Sequence, residues 1–268
     1  MTSFFKYHGL GNDFVIIEGD DDTVSAEEVI AICDRHRGIG ADGVLVIRRR
    51  GDVDGYGVQM IIYNRDGGRS EMCGNGVRCV AAFARRHWKA PPELFVFSDA
   101  GDHRCQVEAK SSSVDMVTVD MGVVDASPAQ QMLEADGHRF EYVSVNTGNP
   151  HAVIFELPEA ETMKRVGRAA NDDHPLFSQG VNVEFATELE GGQGYRVVVY
   201  ERGVGFTQAC GTGACAVAEA AWVTQRMARD RSVAVDLPGG RLTIQGEEGR
   251  VLMTGMAQEV FSGRWSRD

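Results

Sequence analysis

The sequence matches itself at an offset of 137 residues, about half its length of 268, and this constrains its fold more than any other feature. At that offset Tyr63-Asn-Arg-Asp-Gly-Gly falls on Tyr200-Glu-Arg-Gly-Val-Gly, and Cys73-Gly-Asn-Gly-Val falls on Cys210-Gly-Thr-Gly-Ala. Without a gap it also pairs Gly11-Asn12 with Gly148-Asn149, Gly43-Val44 with Gly180-Val181, and Val80-Ala81 with Val217-Ala218. Many matches at one ungapped offset predict two similar domains. The first is expected over residues 1–117, with residues 257–268 available to complete it, and the second over residues 118–256. The polar run Ser111-Ser112-Ser113 precedes the division as a turn should.

Both halves have the same texture. Runs rich in β-branched and aromatic residues predict strands at Phe14–Ile17, Val44–Ile47 and Val58–Tyr63, and again at Ala152–Phe155, Val181–Phe185 and Tyr195–Tyr200. After each cysteine motif an Ala-rich stretch predicts a helix, over Val77–Trp88 and Ala214–Met227, with arginine near its end. Strands resume at Leu94–Phe97 and Arg241–Ile244. Mostly strand with one apolar helix per half predicts an α+β fold. Its two pseudo-symmetric domains would each be a curled, mostly antiparallel sheet around a central helix.

The composition narrows the function. With 27 Lys and Arg against 39 Asp and Glu, the net charge of -12 argues against nucleic acid as a partner. No apolar run is long enough to span a bilayer, and residues 1–8 do not resemble a signal peptide, so a cytoplasmic protein without a membrane partner is expected. The six cysteines lack disulfide-scaffold spacing. Cys73 and Cys79 are six apart and Cys210 and Cys215 five apart, which is not the spacing of a metal-ligand pair, so no metal is expected.

A Cys-Gly-x-Gly sequence at a strand-to-helix junction has chemical consequences. The helix start carries unpaired N–H groups and partial positive charge, which stabilise a thiolate. The glycines let the backbone approach a bound carboxylate. A lone motif reads equally well as a buried, inert cysteine. Two copies related by a pseudo-twofold axis would set Cys73 and Cys210 on opposite faces of one α-carbon. One would remove a proton and the other would return one, and the helix N–H groups would stabilise the carbanion's charge. A cysteine hydrolase needs one thiol and a separate base, so the duplication argues against it. A pyridoxal enzyme needs a Schiff-base lysine, yet none of Lys6, Lys89, Lys110 and Lys164 lies in the glycine motifs. A non-catalytic anion-binding protein leaves the paired cysteines unexplained.

The set of motifs resembles the diaminopimelate epimerase family: His8-Gly-Leu-Gly-Asn-Asp-Phe, Gly38-Ile-Gly-Ala-Asp-Gly, Asn64 with Cys73-Gly-Asn-Gly-Val-Arg-Cys, Gly148-Asn-Pro-His, Val181-Asn-Val-Glu-Phe, and Glu201-Arg-Gly-Val-Gly with Ala209-Cys-Gly-Thr-Gly-Ala-Cys. The resemblance implies interconversion of LL- and meso-diaminopimelate in lysine and peptidoglycan precursor synthesis, with no cofactor. It implies acid/base roles for Cys73 and Cys210, and backbone contacts from Gly74, Asn75, Gly211 and Thr212 to the reacting carboxylate. Asn12, Asn64, Asn149, Asn182 and Arg202 become substrate contacts. Glu201 would receive the distal ammonium and tune Cys210, and His151 would act on Cys73. A small amino acid is then the partner, and a homodimer is compatible with the family.

Read from the residues alone, Asn12, Asn149 and Asn182 serve equally as turn residues. Likewise His151 fits a core histidine, and Glu201 with Arg202 a solvated pair. Asn64 and Glu201, however, each lie nine residues before a motif cysteine, and Arg65 and Arg202 each lie eight before. Cys33, Cys79, Cys105 and Cys215 are assigned to packing. Gly43, Gly68-Arg69 and Phe206 depart from the commoner family residues, which bears on substrate preference. The alternative substrate is another amino acid, such as histidine. It lacks a distal carboxylate and would leave Asn64, Asn182 and Arg202 without purpose.

Overall fold

The structure is a computed structural model that describes residues 1–20, 23–51, 53–172 and 174–266, so residues 267–268 of the expected completing segment lie outside it. The chain forms two compact units, Met1–Asp120 with Thr254–Asp268, and Met121–Met253.

The first unit runs β1 (Thr2–Gly9), β2 (Asn12–Glu18), α1 (Ala26–Cys33), β3 (Gly43–Arg50), β4 (Gly57–Asn64), β5 (Arg69–Ser70), α2 (Gly74–His87), β6 (Glu93–Ser98), β7 (Gly101–Ala109) and β8 (Val114–Asp120). The second runs β9 (Asp125–Ala135), β10 (His138–Asn146), β11 (Pro150–Ile154), α3 (Ala160–Ala169), β12 (Asn182–Glu188), β13 (Gly194–Glu201), β14 (Gly205–Phe206), α4 (Gly211–Val223), β15 (Val233–Leu237) and β16 (Gly240–Glu247). β17 (Arg250–Trp265) begins in the second unit and ends in the first. Ser111–Ser113 form the turn between β7 and β8, where Lys110 N–H donates to Val114 O at 3.0 Å.

Among the described residues most pairings are antiparallel, but each unit contains two parallel ones: β2 with β3 and β4 with β6, then β11 with β12 and β13 with β15. Parallel neighbours need a crossover connection, and a helix supplies it each time. That is why, among the described residues, each unit holds two helices where the sequence predicted one. The missed helices are α1 and α3. α1 starts at a capping box, with Ser25 accepting from Glu28 N–H and Glu28 accepting from Ser25 N–H. In the first unit β17 pairs with both β1 and β8 and closes the strand circuit.

The paired helices cover opposite faces of the same strands. Val15, Ile17, Val44 and Val46 pack with Val29 and Ile32 of α1, while Val183 and Phe185 pack with Met163 and Val166 of α3. Strand alternation turns Leu45 and Glu184 to the other face, toward α2 and α4. These are the central helices, buried on nearly every side from Gly74 to Ala84 and from Gly211 to Trp222. Small residues let them pass close to the strands. A Cβ on Gly76 would stand 3.3 Å from Leu45 Cδ2, and one on Gly213 would stand 2.8 Å from Glu184 Oε1.

The internal repeat has one slip. β4 and β13, and the starts of α2 and α4, are 137 residues apart. In the sheet, however, Phe14 pairs with Gly43 and His151 with Asn182. Gly43 therefore corresponds to Asn182, two residues beyond the Gly43–Gly180 match of the ungapped comparison.

Candidate active site

Both helices start three residues earlier than predicted, directly after their cysteines, so Cys73 caps α2 and Cys210 caps α4. Both cysteines have extended backbone, and the glycines that follow lie in the first helical turn, whose N–H groups lack helical partners. The two copies share this frame and differ in what surrounds the sulfur.

In the first unit the Cys73 thiol points at Asn12 Oδ1, 3.7 Å away, and makes no cap bond to its own helix. Asn12 Oδ1 also accepts from Asn75 Nδ2 at 3.0 Å, and Asn12 Nδ2 donates to Asp42 Oδ2 at 3.0 Å. Behind Asn75 lies Arg78, fully buried, which donates to Asn75 Oδ1 at 2.6 Å, Gly74 O at 3.3 Å and Met256 O at 3.4 Å. A cation thus underlies the helix start, joined to the thiol through two amides. Next to Asn12, burial acts to raise Asp13, but Arg35, Lys6 and Asp42 outweigh it and hold its carboxyl down at about 2. Asn64 is not joined to this network by any bond among the described residues. It is exposed at the end of β4, where its N–H donates to Gly68 O at 2.8 Å.

In the second unit Cys210 is buried, and its sulfur accepts from Gly213 N–H at 3.3 Å and lies 3.4 Å from Thr212 Oγ1. These contacts would stabilise a thiolate, as the motif predicts. They are outweighed. Burial pushes the Cys210 thiol well above its ordinary value, and the negative charges of Glu201 and Glu184 push it further. Burial also raises Glu201, against the bond it accepts from Thr207 Oγ1 at 2.6 Å. The lowered thiol expected from the motif is therefore not found at Cys210.

His151 is enclosed, with Nδ1 2.7 Å from Glu184 Oε1 and Nε2 3.0 Å from Asn149 Oδ1, which also accepts from Thr147 Oγ1 at 2.8 Å. Asn182 is a brace: it donates to Pro150 O at 3.1 Å and accepts from Arg202 N–H at 3.0 Å. The exposed Arg202 guanidinium donates to Gln179 O at 3.1 Å.

Sequence reasoning missed Arg78 and Glu184. The clue to Glu184 was a lone carboxylate in the otherwise uncharged run Val181-Asn-Val-Glu-Phe, where all five residues are buried.

The family model for diaminopimelate epimerase matches residues 4–126 and 143–260. The chain belongs to the diaminopimelate epimerase family. The diaminopimelate epimerase of Desulforudis audaxviator is 40% identical, over 98% of this chain and 99% of the relative. That of Leptospira biflexa is 38% identical, over 97% and 98%. Among solved structures, a phenazine biosynthesis protein from Bacillus anthracis matches with a TM-score of 0.73 at 14% identity, covering 98% of each chain. A hydroxyproline epimerase from Agrobacterium vitis matches with a TM-score of 0.68 at 19% identity, covering 98% of this chain and 91% of that one. These two show that the α+β fold is shared. Among the described residues no helix is long and apolar enough to cross a membrane.

Proposed function

We propose that this member of the diaminopimelate epimerase family inverts the α-carbon of LL-diaminopimelate to give the meso isomer, in lysine and peptidoglycan precursor synthesis. Cys73 and Cys210 are its two acid/base groups, and no cofactor takes part. The observation that carries this reading is that each cysteine caps the central helix of its unit and is followed by glycines. Each cysteine therefore sits at a helix start, whose first N–H groups lack helical acceptors and can hold a carboxylate and the charge that spreads onto it. One thiolate removes the α-proton, the other thiol delivers a proton to the opposite face, and the net change is inversion.

In this reading Gly74, Asn75, Gly211 and Thr212 hold the reacting carboxylate. Asn12, Asn64, Asn149, Asn182 and Arg202 contact the rest of the substrate, and Glu201 receives the distal ammonium. Glu201 and His151 adjust the thiols. A cytoplasmic setting and a homodimer belong to the same proposal.

The test is incubation in deuterated water with a panel including LL-diaminopimelate and L-histidine. Deuterium should enter the α-position of diaminopimelate as the meso isomer forms. Turnover of histidine and not of diaminopimelate would overturn the substrate.

A further inference from the structure

Glu184 is the least expected side chain in the second unit. It is fully buried on β12, turned toward the start of α4, and its Oε2 has no hydrogen-bond partner among the described residues. A buried carboxylate is costly to keep unless it has a task. Its other oxygen, Oε1, meets His151 Nδ1 at 2.7 Å. The same oxygen lies where a Cβ on Gly213 would be 2.8 Å away, and that Cβ would be 3.3 Å from the Cys210 sulfur. Glu184 is therefore wedged between the imidazole and the first turn of the helix that Cys210 caps.

The repeat supplies an internal control. Val153 pairs with Glu184 in the second unit, and Ile16 pairs with Leu45 in the first. Leu45 lies against Gly76 as Glu184 lies against Gly213. By the same correspondence His151 takes the place of Phe14. An apolar pair therefore fills this position at Cys73, and an imidazole–carboxylate pair fills it at Cys210. Packing alone is satisfied by Phe14 and Leu45, so the polar pair has another use.

The remaining charges around Cys210 are few. Glu201 of β13 bears on it most strongly and Glu184 of β12 next, while His151 of β11 acts on Glu201. On α4 itself, Glu219 is committed to Arg229 at 2.6 and 3.0 Å.

We propose that Glu184 is a positioning residue with two effects: by accepting Nδ1–H it fixes the orientation of the His151 imidazole, whose Nε2 faces Asn149 Oδ1, and its buried charge keeps Cys210 a thiol until substrate arrives. The first effect follows because an ionised carboxylate can only accept, so the proton on Nδ1 is fixed. The second follows because a negative charge in a poorly hydrated place disfavours a second one nearby. Only protons move, and no bond to carbon is made or broken by Glu184. The inference rests on the two-cysteine reading for its purpose, but its tests do not need turnover.

Two measurements decide it. In the unmodified protein, imidazole nitrogen shifts should show that Nδ1 of His151 carries the proton shared with Glu184. An unprotonated Nδ1 would overturn the proposal, and this readout needs no variant to fold. In Glu184→Gln, which keeps the shape and removes the charge, alkylation of Cys210 by iodoacetamide is followed against pH by peptide mass spectrometry. The midpoint should fall by about one unit, giving about tenfold faster alkylation below it. Glu184→Asp, which keeps the charge, should stay near the unmodified midpoint, as a purely structural role would not require. An unchanged midpoint in a folded Glu184→Gln protein sinks the second effect. Failure of the unmodified protein to place deuterium in diaminopimelate would instead overturn the reaction and leave both readouts standing.

Discussion

Cys73 and Cys210 occupy the same place in two copies of one frame, and their neighbours make them unequal. Cys73 faces an amide chain backed by buried Arg78, whereas Cys210 is enclosed with Glu201 and Glu184 nearby. Under the proposed mechanism, Cys73→Ala or Cys210→Ala should lower epimerisation by on the order of 10²–10⁴-fold. Solvent deuterium should still enter one substrate isomer faster than the other, because one base survives. Full turnover by either variant would overturn the two-base scheme. Arg78→Met should destabilise the protein by about 2–4 kcal/mol, because it takes the charged donor from three acceptors, two of them buried and one half-buried. Denaturant midpoints check this, and Arg78→Lys should not restore the midpoint, since an ammonium cannot reproduce the guanidinium fork.

At the scale of elements, the strands around the cysteines were legible because β-branched runs bounded by Gly, Asn and Asp are a local signal. The crossover helices were not. α1 is only eight residues long, and its start is marked by one capping box. α3 has a short apolar face, Met163, Val166 and Gly167, that is meaningful only against the strands beneath it. Gly167 is the close approach there, since a Cβ would stand 2.4 Å from Tyr200 Cγ. Gly167→Ala should therefore push α3 off β13 and cost about 1–3 kcal/mol, read as a lower thermal midpoint. No loss of stability would mean that the helix can shift freely. The cysteines' place at helix starts was legible for the same local reason as the strands. Glu184 was hidden by the two-residue slip between β3 and β12, which an ungapped self-comparison cannot see.

For the whole molecule, the α+β arrangement of sheets around central helices could be read from the repeat and from strand-rich texture. The parallel pairings could not, because they join residues far apart in sequence. Asp13 ties together β1, β2 and the segment after α1, through Lys6 at 2.5 Å and Arg35 at 2.6 Å. Its carboxyl is held at about 2 when folded, against about 3.9 in an unfolded chain. The folded value is the lower one, so this stabilisation is present above pH 4 and is lost as pH falls from about 4 to about 2. Asp13→Asn should remove about 2 kcal/mol at neutral pH and flatten the acid limb of stability against pH. Removing residues 254–268 should abolish cooperative melting of the first unit, since β1 and β8 both lose β17.

β17 also sets an order on events at the ribosome. The second unit needs only residues 121–253, all of which emerge before the part of β17 that belongs to the first unit. The first unit is begun earliest, yet its strand circuit waits for residues 254–265. During synthesis β1 and β8 are therefore open edges, with unpaired backbone groups and apolar faces exposed, for as long as the second unit takes to be made. The half that carries Cys73 is translated first and finished last.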